Sequence, residues 1–209
     1  MKGNVADSLH QVPDAQLTPL GKKQAASLSR LIPNLQQEAD VVISSPLRRT
    51  LQTTYLGFSP AIERLGGLRN VVCDTGSSKE VLESDAEFAV FDHSLLTPDW
   101  NSGEGFYAPT DEALNERARW VRKYLRDRPE KNIVFVSHGD ILRRIAARPG
   151  RGTNEYPWMN AEVRIFEFDP DFVDSEQCYL YQRNTVAAAG GYGPTSTELE
   201  IEQAEGRLP

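Results

Sequence analysis

The stretch Val134-Phe135-Val136-Ser137-His138-Gly139-Asp140-Ile141-Leu142, VFVSHGDIL, leads from a predicted strand into a predicted helix. Residues 133–137 are a short run of β-branched and aromatic residues, which predicts a central strand of the kind found in parallel sheets. Apolar residues at helical spacing follow, so His138 lies between the end of a strand and the start of a helix. Open α/β sheets bind ligands at such places, and free N–H groups there favour an anion. A capping or core role for His138 is the alternative.

Composition limits the classes of function. A chain of 209 residues fits one α/β domain, predicted over residues 1–185, with a flexible Gly-rich and then acidic tail over 186–209. The net charge of −7 argues against a nucleic-acid partner. Cys73 and Cys178 form neither a zinc pattern nor a disulfide framework, so no metal site is expected. Without an apolar leader or long apolar run, we expect a cytoplasmic protein and no membrane partner.

Helices and strands alternate along the chain. The helix over 17–32 has Thr18 as its N-cap and Pro19 at its first position. Further periodic segments predict a three-layer α/β/α sandwich around a mostly parallel central sheet. These segments are strand 40–45, a helix from Pro46, helix 78–91, helix 110–128 and late strands near 162–170 and 178–183.

A second segment has the same strand-to-helix arrangement. The residues SSPLRRTLQTT, 44–54, place Ser44, Ser45, Arg49 and Thr50 at another strand end. If the two strands are central, Arg49 and His138 face one crevice, where a guanidinium fork and an imidazole can both hold phosphate oxygens. The alternative is that Arg48 and Arg49 form the solvated face of a helix.

Five motifs in order carry a resemblance to a known family: LTPLGKKQA (17–25), SSPLRRTLQT (44–53), CDTGS (73–77), VFVSHGDIL (134–142) and NAEVR (160–164). Over roughly residues 4–170 the chain resembles the phosphoglycerate mutase-like branch of the histidine phosphatase superfamily. The resemblance implies a phosphoryl pocket with two arginines and two histidines, of which one histidine becomes phosphorylated. It also implies a carboxylate general acid and no metal or other cofactor.

The resemblance assigns four residues of this sequence to the pocket. Arg49 and His138 match positions that bind the phosphoryl group and take part in catalysis, and we expect both roles here. Gly139 matches a position that lets the backbone approach the phosphate, and Asn4 matches a substrate-binding asparagine. The expected ligand is a small phosphorylated or otherwise anionic metabolite.

Two family features are missing from the matched positions. The nucleophilic histidine, its arginine and the first core strand would precede Met1, and neither His10 nor His93 matches the nucleophile. The expected fold therefore lacks that strand, and its open sheet edge predicts poor solubility or self-association. In addition, Gly67 takes the place of the general-acid glutamate, with Glu63 or Asp74 as possible substitutes.

Three functions stay open at this point. The first is phosphomonoester hydrolysis, either by an active phosphatase whose first motif lies upstream of Met1 or impaired in this chain because the nucleophile and the acid are absent. The second is a non-catalytic module that binds phosphate esters, a pseudophosphatase. The third is a repurposed isomerase or dehydratase in which His138 acts on a small molecule.

Overall fold

A computed structural model describes residues 14–67, 69–70, 76–89 and 91–192. Its elements, in chain order, are α1 (Pro19–Leu31), α2 (Pro33–Glu38), β1 (Val41–Ser44), α3 (Arg48–Leu65), β2 (Arg69–Asn70), α4 (Lys79–Ser84), a 3₁₀ turn (Gly105–Tyr107), α5 (Asp111–Arg126), β3 (Ile133–Val136), α6 (Gly139–Ile145), β4 (Glu162–Phe168) and β5 (Leu180–Ala188).

A parallel sheet of three strands, in the order β2-β1-β3, forms one part of the molecule. Strand β1 is fully buried, because it has a partner on each side and apolar neighbours on both faces. The prediction of a parallel strand before His138 is confirmed. Within the described residues β3 lies at the edge of this sheet, and its four residues are only partly buried.

Helices cover both faces of the sheet, as the predicted three-layer arrangement requires. One core contains Leu28, Val42, Leu51 and Phe58, so α1 and α3 lie over the same face. The other face packs Ile43 against residues of α5 and α6: Ala118, Val121, Ile141 and Ile145. Side chains of β3 alternate between the two cores, with Val134 and Val136 in the first and Ile133 and Phe135 in the second.

Strands β4 and β5 form a separate antiparallel pair. Val163 and Ala187 pack against the first core, and Leu180 packs against the second, so this pair shares both cores with the parallel sheet. A cavity of about 660 Å³ lies where residues 131–139 and 158–166 face it from the two sheets. Among the described strands, none bridges the two sheets.

Helix α3 begins just after the second predicted strand end, and Arg49 lies in its first turn. Its N-cap, Leu47, has no side-chain acceptor, and Asp14 instead accepts the N–H of Arg48 at 2.9 Å. The helix continues to Leu65, beyond the segment that the sequence predicted. Pro60 lacks an N–H and crowds the preceding turn, which accounts for the non-helical backbone at Phe58.

The other helices and strands differ from the sequence predictions in length more than in type. The predicted cap of α1 is confirmed, since Thr18 accepts the N–H of Gly21 at 3.1 Å. Helix α4 has only six residues, far fewer than the predicted 78–91. Strand β5 continues to Ala188, and residues 193–209 lie outside the described part. No described helix is long and apolar enough to cross a bilayer; the cytoplasmic location stays a prediction.

Candidate phosphate-binding site

The carboxyl ends of β1 and β3 meet at the same edge of the sheet, because the two strands are parallel and in register. The N–H of Ser45 bonds to the carbonyl of Val136 at 2.9 Å, which joins the two strand ends directly. Arg49 follows β1 in the first turn of α3, and His138 follows β3 as the N-cap of α6. Both side chains line the cavity, so the structure brings together the two residues that the sequence paired.

The imidazole of His138 is held by two hydroxyl groups. Its Nε2 lies 2.9 Å from Oγ of Ser45 and 3.1 Å from Oγ1 of Thr50. Ser45 is completely buried and Thr50 is 3% exposed, so these contacts lie on the protein side of the histidine. Burial lowers the pKa of His138 to about 3, and the positive charge of Arg49 adds to the effect. The histidine is therefore neutral at pH 7 when no anion is bound.

Gly139 also lines the cavity. A Cβ atom placed there would meet Cβ of Trp158 at 3.9 Å, which is an ordinary contact. The protein itself therefore has room for a side chain at this position. A need for glycine would come from a ligand that approaches the backbone, as the sequence predicted.

Three other predicted residues have different outcomes. Asn4 lies outside the described residues, and so does Asp74. Glu63 is exposed near the end of α3, fourteen residues beyond Arg49, which corresponds to roughly 20 Å of helix. Glu63 is thus wrong as a substitute for the general acid at this site.

Position 67, which the resemblance assigned to the general acid, also lies away from the site. Gly66 is the left-handed C-cap of α3, and the N–H of Gly67 bonds to the carbonyl of Ile62. Gly67 therefore lies at the opposite end of α3 from Arg49, and an acid at position 67 would not reach His138. The comparison of Gly67 with a catalytic glutamate is wrong for this geometry, since the glycine has a helix-capping role.

His93 is not part of the site. Its Nε2 lies 2.9 Å from the carbonyl of Phe88, and the side chain is buried away from the cavity lining. His10 lies outside the described residues. Within the described ranges, His138 is thus the one histidine that lines this cavity.

Sequence reasoning missed Trp158 as a wall of the cavity. Its ring stacks on Phe166, and the guanidinium of Arg164 lies 4.2 Å from its centroid. Arg164 is itself paired with Glu162 at 2.7 Å. The motif NAEVR pointed to this strand but not to the tryptophan, which precedes it and carries no periodic signal. No cluster of three metal-ligating side chains occurs in the described part of the chain.

Comparison with known proteins shows the family of the chain. The model of the histidine phosphatase superfamily (branch 1) matches residues 1–178. A probable phosphatase of Schizosaccharomyces pombe is 26% identical over 149 residues, which cover 66% of this chain and 68% of that protein. An acid phosphatase of Mycobacterium tuberculosis is 29% identical, over 65% of this chain and 64% of that protein.

Two further matches are more distant in sequence. A metal-independent phosphoserine phosphatase of Arabidopsis thaliana is 23% identical, over 78% of this chain and 70% of that protein. The solved structure of mycobacterial hydrolase 2 has a TM-score of 0.50 with 18% identity, and the match covers 93% of this chain and 87% of that one. The fold, the paired strand ends and the family match lead to one conclusion: the chain belongs to the histidine phosphatase superfamily.

Proposed function

We propose that this chain binds the phosphoryl group of a small phosphate monoester between Arg49 and His138. The observation that carries the proposal is that these side chains come from two parallel strand ends and line one cavity. A guanidinium binds phosphate oxygens in bidentate fashion, and a neutral imidazole supplies one further donor. Gly139 allows the anion to approach the backbone, and Asn4 is a proposed fourth contact. The relatives named as phosphatases support this class of ligand.

We further propose that the 209-residue chain hydrolyses such esters slowly at most. Phosphoryl transfer through a covalent intermediate needs a nucleophile beside His138. His93 cannot be that nucleophile, because it does not line the cavity. Glu63 lies at the far end of α3, so it cannot protonate a leaving group at this site. Binding without efficient turnover is the function that these described residues support best.

Binding is tested by thermal unfolding in increasing inorganic phosphate. At 100 times Kd, phosphate should stabilise the native chain by about 2.7 kcal/mol, roughly 5–10 °C in Tm. Arg49→Ala should abolish this shift. The matched control is Arg48→Gln, which removes the same charge from the adjacent residue, whose side chain pairs with Asp85 and does not line the cavity. An unchanged shift in Arg49→Ala would exclude this pocket.

Turnover of p-nitrophenyl phosphate separates the remaining functions. Binding with weak or no release of nitrophenol supports the proposal. Rapid, Arg49-dependent release would show a competent phosphatase and would refute impaired turnover. The isomerase or dehydratase alternative requires an activity that is lost when His138 is replaced and that added phosphate does not change.

The open edge of β3 supports a proposal about self-association. Because Val136 bonds toward β1, the alternate residues Ile133 and Phe135 direct their N–H and C=O groups to the other side. In the part of the chain described here, those groups have no strand partner. Strand edges without a partner pair readily with other chains, so we propose that this edge, which lines the cavity, mediates association between copies.

A further inference from the structure

Within the described residues, the ring of His138 has hydrogen-bond partners at only one of its two nitrogens. Ser45 and Thr50 both reach Nε2, from the end of β1 and from the first turn of α3. Nδ1 has no hydrogen-bond partner among the described residues. Three separate elements therefore meet at one ring nitrogen, and the other nitrogen is left for a ligand.

The two hydroxyl groups depend on this nitrogen. Within the described residues, the only hydrogen bond of Ser45 Oγ and the only one of Thr50 Oγ1 is the contact with His138. The neighbouring hydroxyls of Ser44 and Thr54 bond to one another, at 2.8 Å, and to backbone carbonyls. A buried O–H group without an acceptor is unfavourable, so the state of Nε2 matters for both hydroxyls.

A count of donors and acceptors distinguishes the two neutral forms of the ring. If Nε2 carries the proton, it donates to the hydroxyl oxygens, and both O–H hydrogens are left without an acceptor. If Nε2 carries the lone pair, it accepts from one hydroxyl, and at most one O–H is left unsatisfied. The second form satisfies more of the buried groups and places the ring proton on Nδ1.

We propose that Ser45 and Thr50 are positioning residues that hold His138 through Nε2, so that Nδ1–H is the donor presented to the anion. This inference rests on the proposed phosphate site and deepens it. Arg49 then supplies the positive charge, while the histidine supplies one oriented hydrogen bond as a neutral ring. Burial keeps the pKa of His138 near 3 in the empty site, which agrees with a neutral donor.

The first test needs no ligand and no activity. The ¹⁵N shifts of the ring nitrogens, measured on histidine-labelled protein at pH 7, report which nitrogen carries the proton. The chain has three histidines, so subtraction of the His138→Gln spectrum assigns the signals. We expect Nδ1 in the protonated form and Nε2 in the unprotonated form. A proton on Nε2 in the wild type would overturn the proposal.

Variants then test the role of the hydroxyls. Ser45→Ala with Thr50→Val should mix the two tautomers, and Thr50→Ser should keep the wild-type spectrum. Thr54→Val is the control, because it removes a buried hydroxyl one turn away that does not contact His138. An unchanged tautomer in the folded double variant would refute the positioning role. If the double variant does not fold, Thr50→Val alone supplies the comparison.

Inorganic phosphate separates failure of this inference from failure of the proposed function. In the wild type, phosphate should shift the Nδ1 signal more than the Nε2 signal, and the double variant should bind phosphate about tenfold more weakly. If Nε2 responds more strongly, the orientation is wrong although the site is right. If phosphate binds nowhere near His138, the proposed function fails, and the ligand-free tautomer still decides the role of the hydroxyls.

Discussion

At the scale of a residue, His138 combines a polar function with a partly buried position. Its ring is tied to two hydroxyls and lies near the charge of Arg49, which together with burial favours the neutral form. A neutral imidazole of this kind cannot form an ion pair, but it can donate one hydrogen bond in a fixed direction. Its chemistry therefore depends on the groups around it, and not on the histidine alone.

The lowered pKa of His138 predicts a specific dependence of stability on pH. The unfolded chain binds a proton near pH 6.5 and the native chain only near pH 3, so native stability falls as the pH drops through this window. The slope is at most about 1.4 kcal/mol per pH unit. Urea unfolding between pH 7 and pH 4 should show a steeper loss in the wild type than in His138→Gln.

The comparison with His138→Gln isolates one titration. Glu162, which lines the same cavity, is paired with Arg164. Contributions from other carboxyl groups cancel in the difference. Parallel stability curves for the two proteins would show that His138 titrates normally in the native state.

Gly139 offers a second prediction at this scale. A Cβ atom at position 139 would lie 3.9 Å from its nearest neighbour, Cβ of Trp158. The free energy of unfolding of Gly139→Ala should therefore lie within about 0.5 kcal/mol of the wild-type value. If phosphate approaches this backbone, its affinity should fall by roughly tenfold or more, measured by calorimetric titration. Equal affinity in the two proteins would place the anion away from Gly139.

At the scale of an element, the start of α3 depends on a residue far away in sequence. Asp14 accepts the N–H of Arg48 and the N–H of Ser77, and its side chain is 4% exposed. It therefore joins three segments and caps a helix whose own N-cap residue, Leu47, has no acceptor. Arg49 lies in that first turn, so the geometry of the site depends on this cap.

Removal of the cap should lower stability. We expect Asp14→Ala to reduce the free energy of unfolding by about 1–2 kcal/mol, as measured by urea denaturation. Asp14→Asn, which keeps an acceptor oxygen, should recover much of this loss. Equal losses in both variants would mean that the bond of the second carboxylate oxygen to Ser77, together with the charge, matters and the cap of Arg48 does not.

At the scale of the whole molecule, the open edge of β3 predicts concentration-dependent association. Sedimentation velocity should show growing oligomers as the concentration rises, because paired edges satisfy the outward N–H and C=O groups of Ile133 and Phe135. Ile133→Pro removes one outward donor at the first residue of a strand, where proline is tolerated. It should weaken association, whereas Ile133→Val should not. A stable monomer at all concentrations would contradict the prediction.

The family resemblance extended what local patterns predicted about the site. The strand ends at 44 and 136 and the helices that follow them come from apolar periodicity over a few residues, which local sequence determines. The pairing of Arg49 with His138 followed from parallel strands alone. The place of Gly67 did not follow, because a motif comparison cannot show that α3 continues to Leu65 and carries this position away from the site.

Local sequence patterns were enough to predict the α/β class, the cap of α1 by Thr18, and the two strand ends that carry Arg49 and His138. Each of these depends on residues close together in the chain. Long-range packing was needed to show that β3 lies at the edge of the described three-stranded sheet, that Asp14 caps α3, and that Ser45 and Thr50 hold Nε2 of His138. These contacts join residues 34 to 93 positions apart, and only packing of the two cores brings such residues within hydrogen-bond distance.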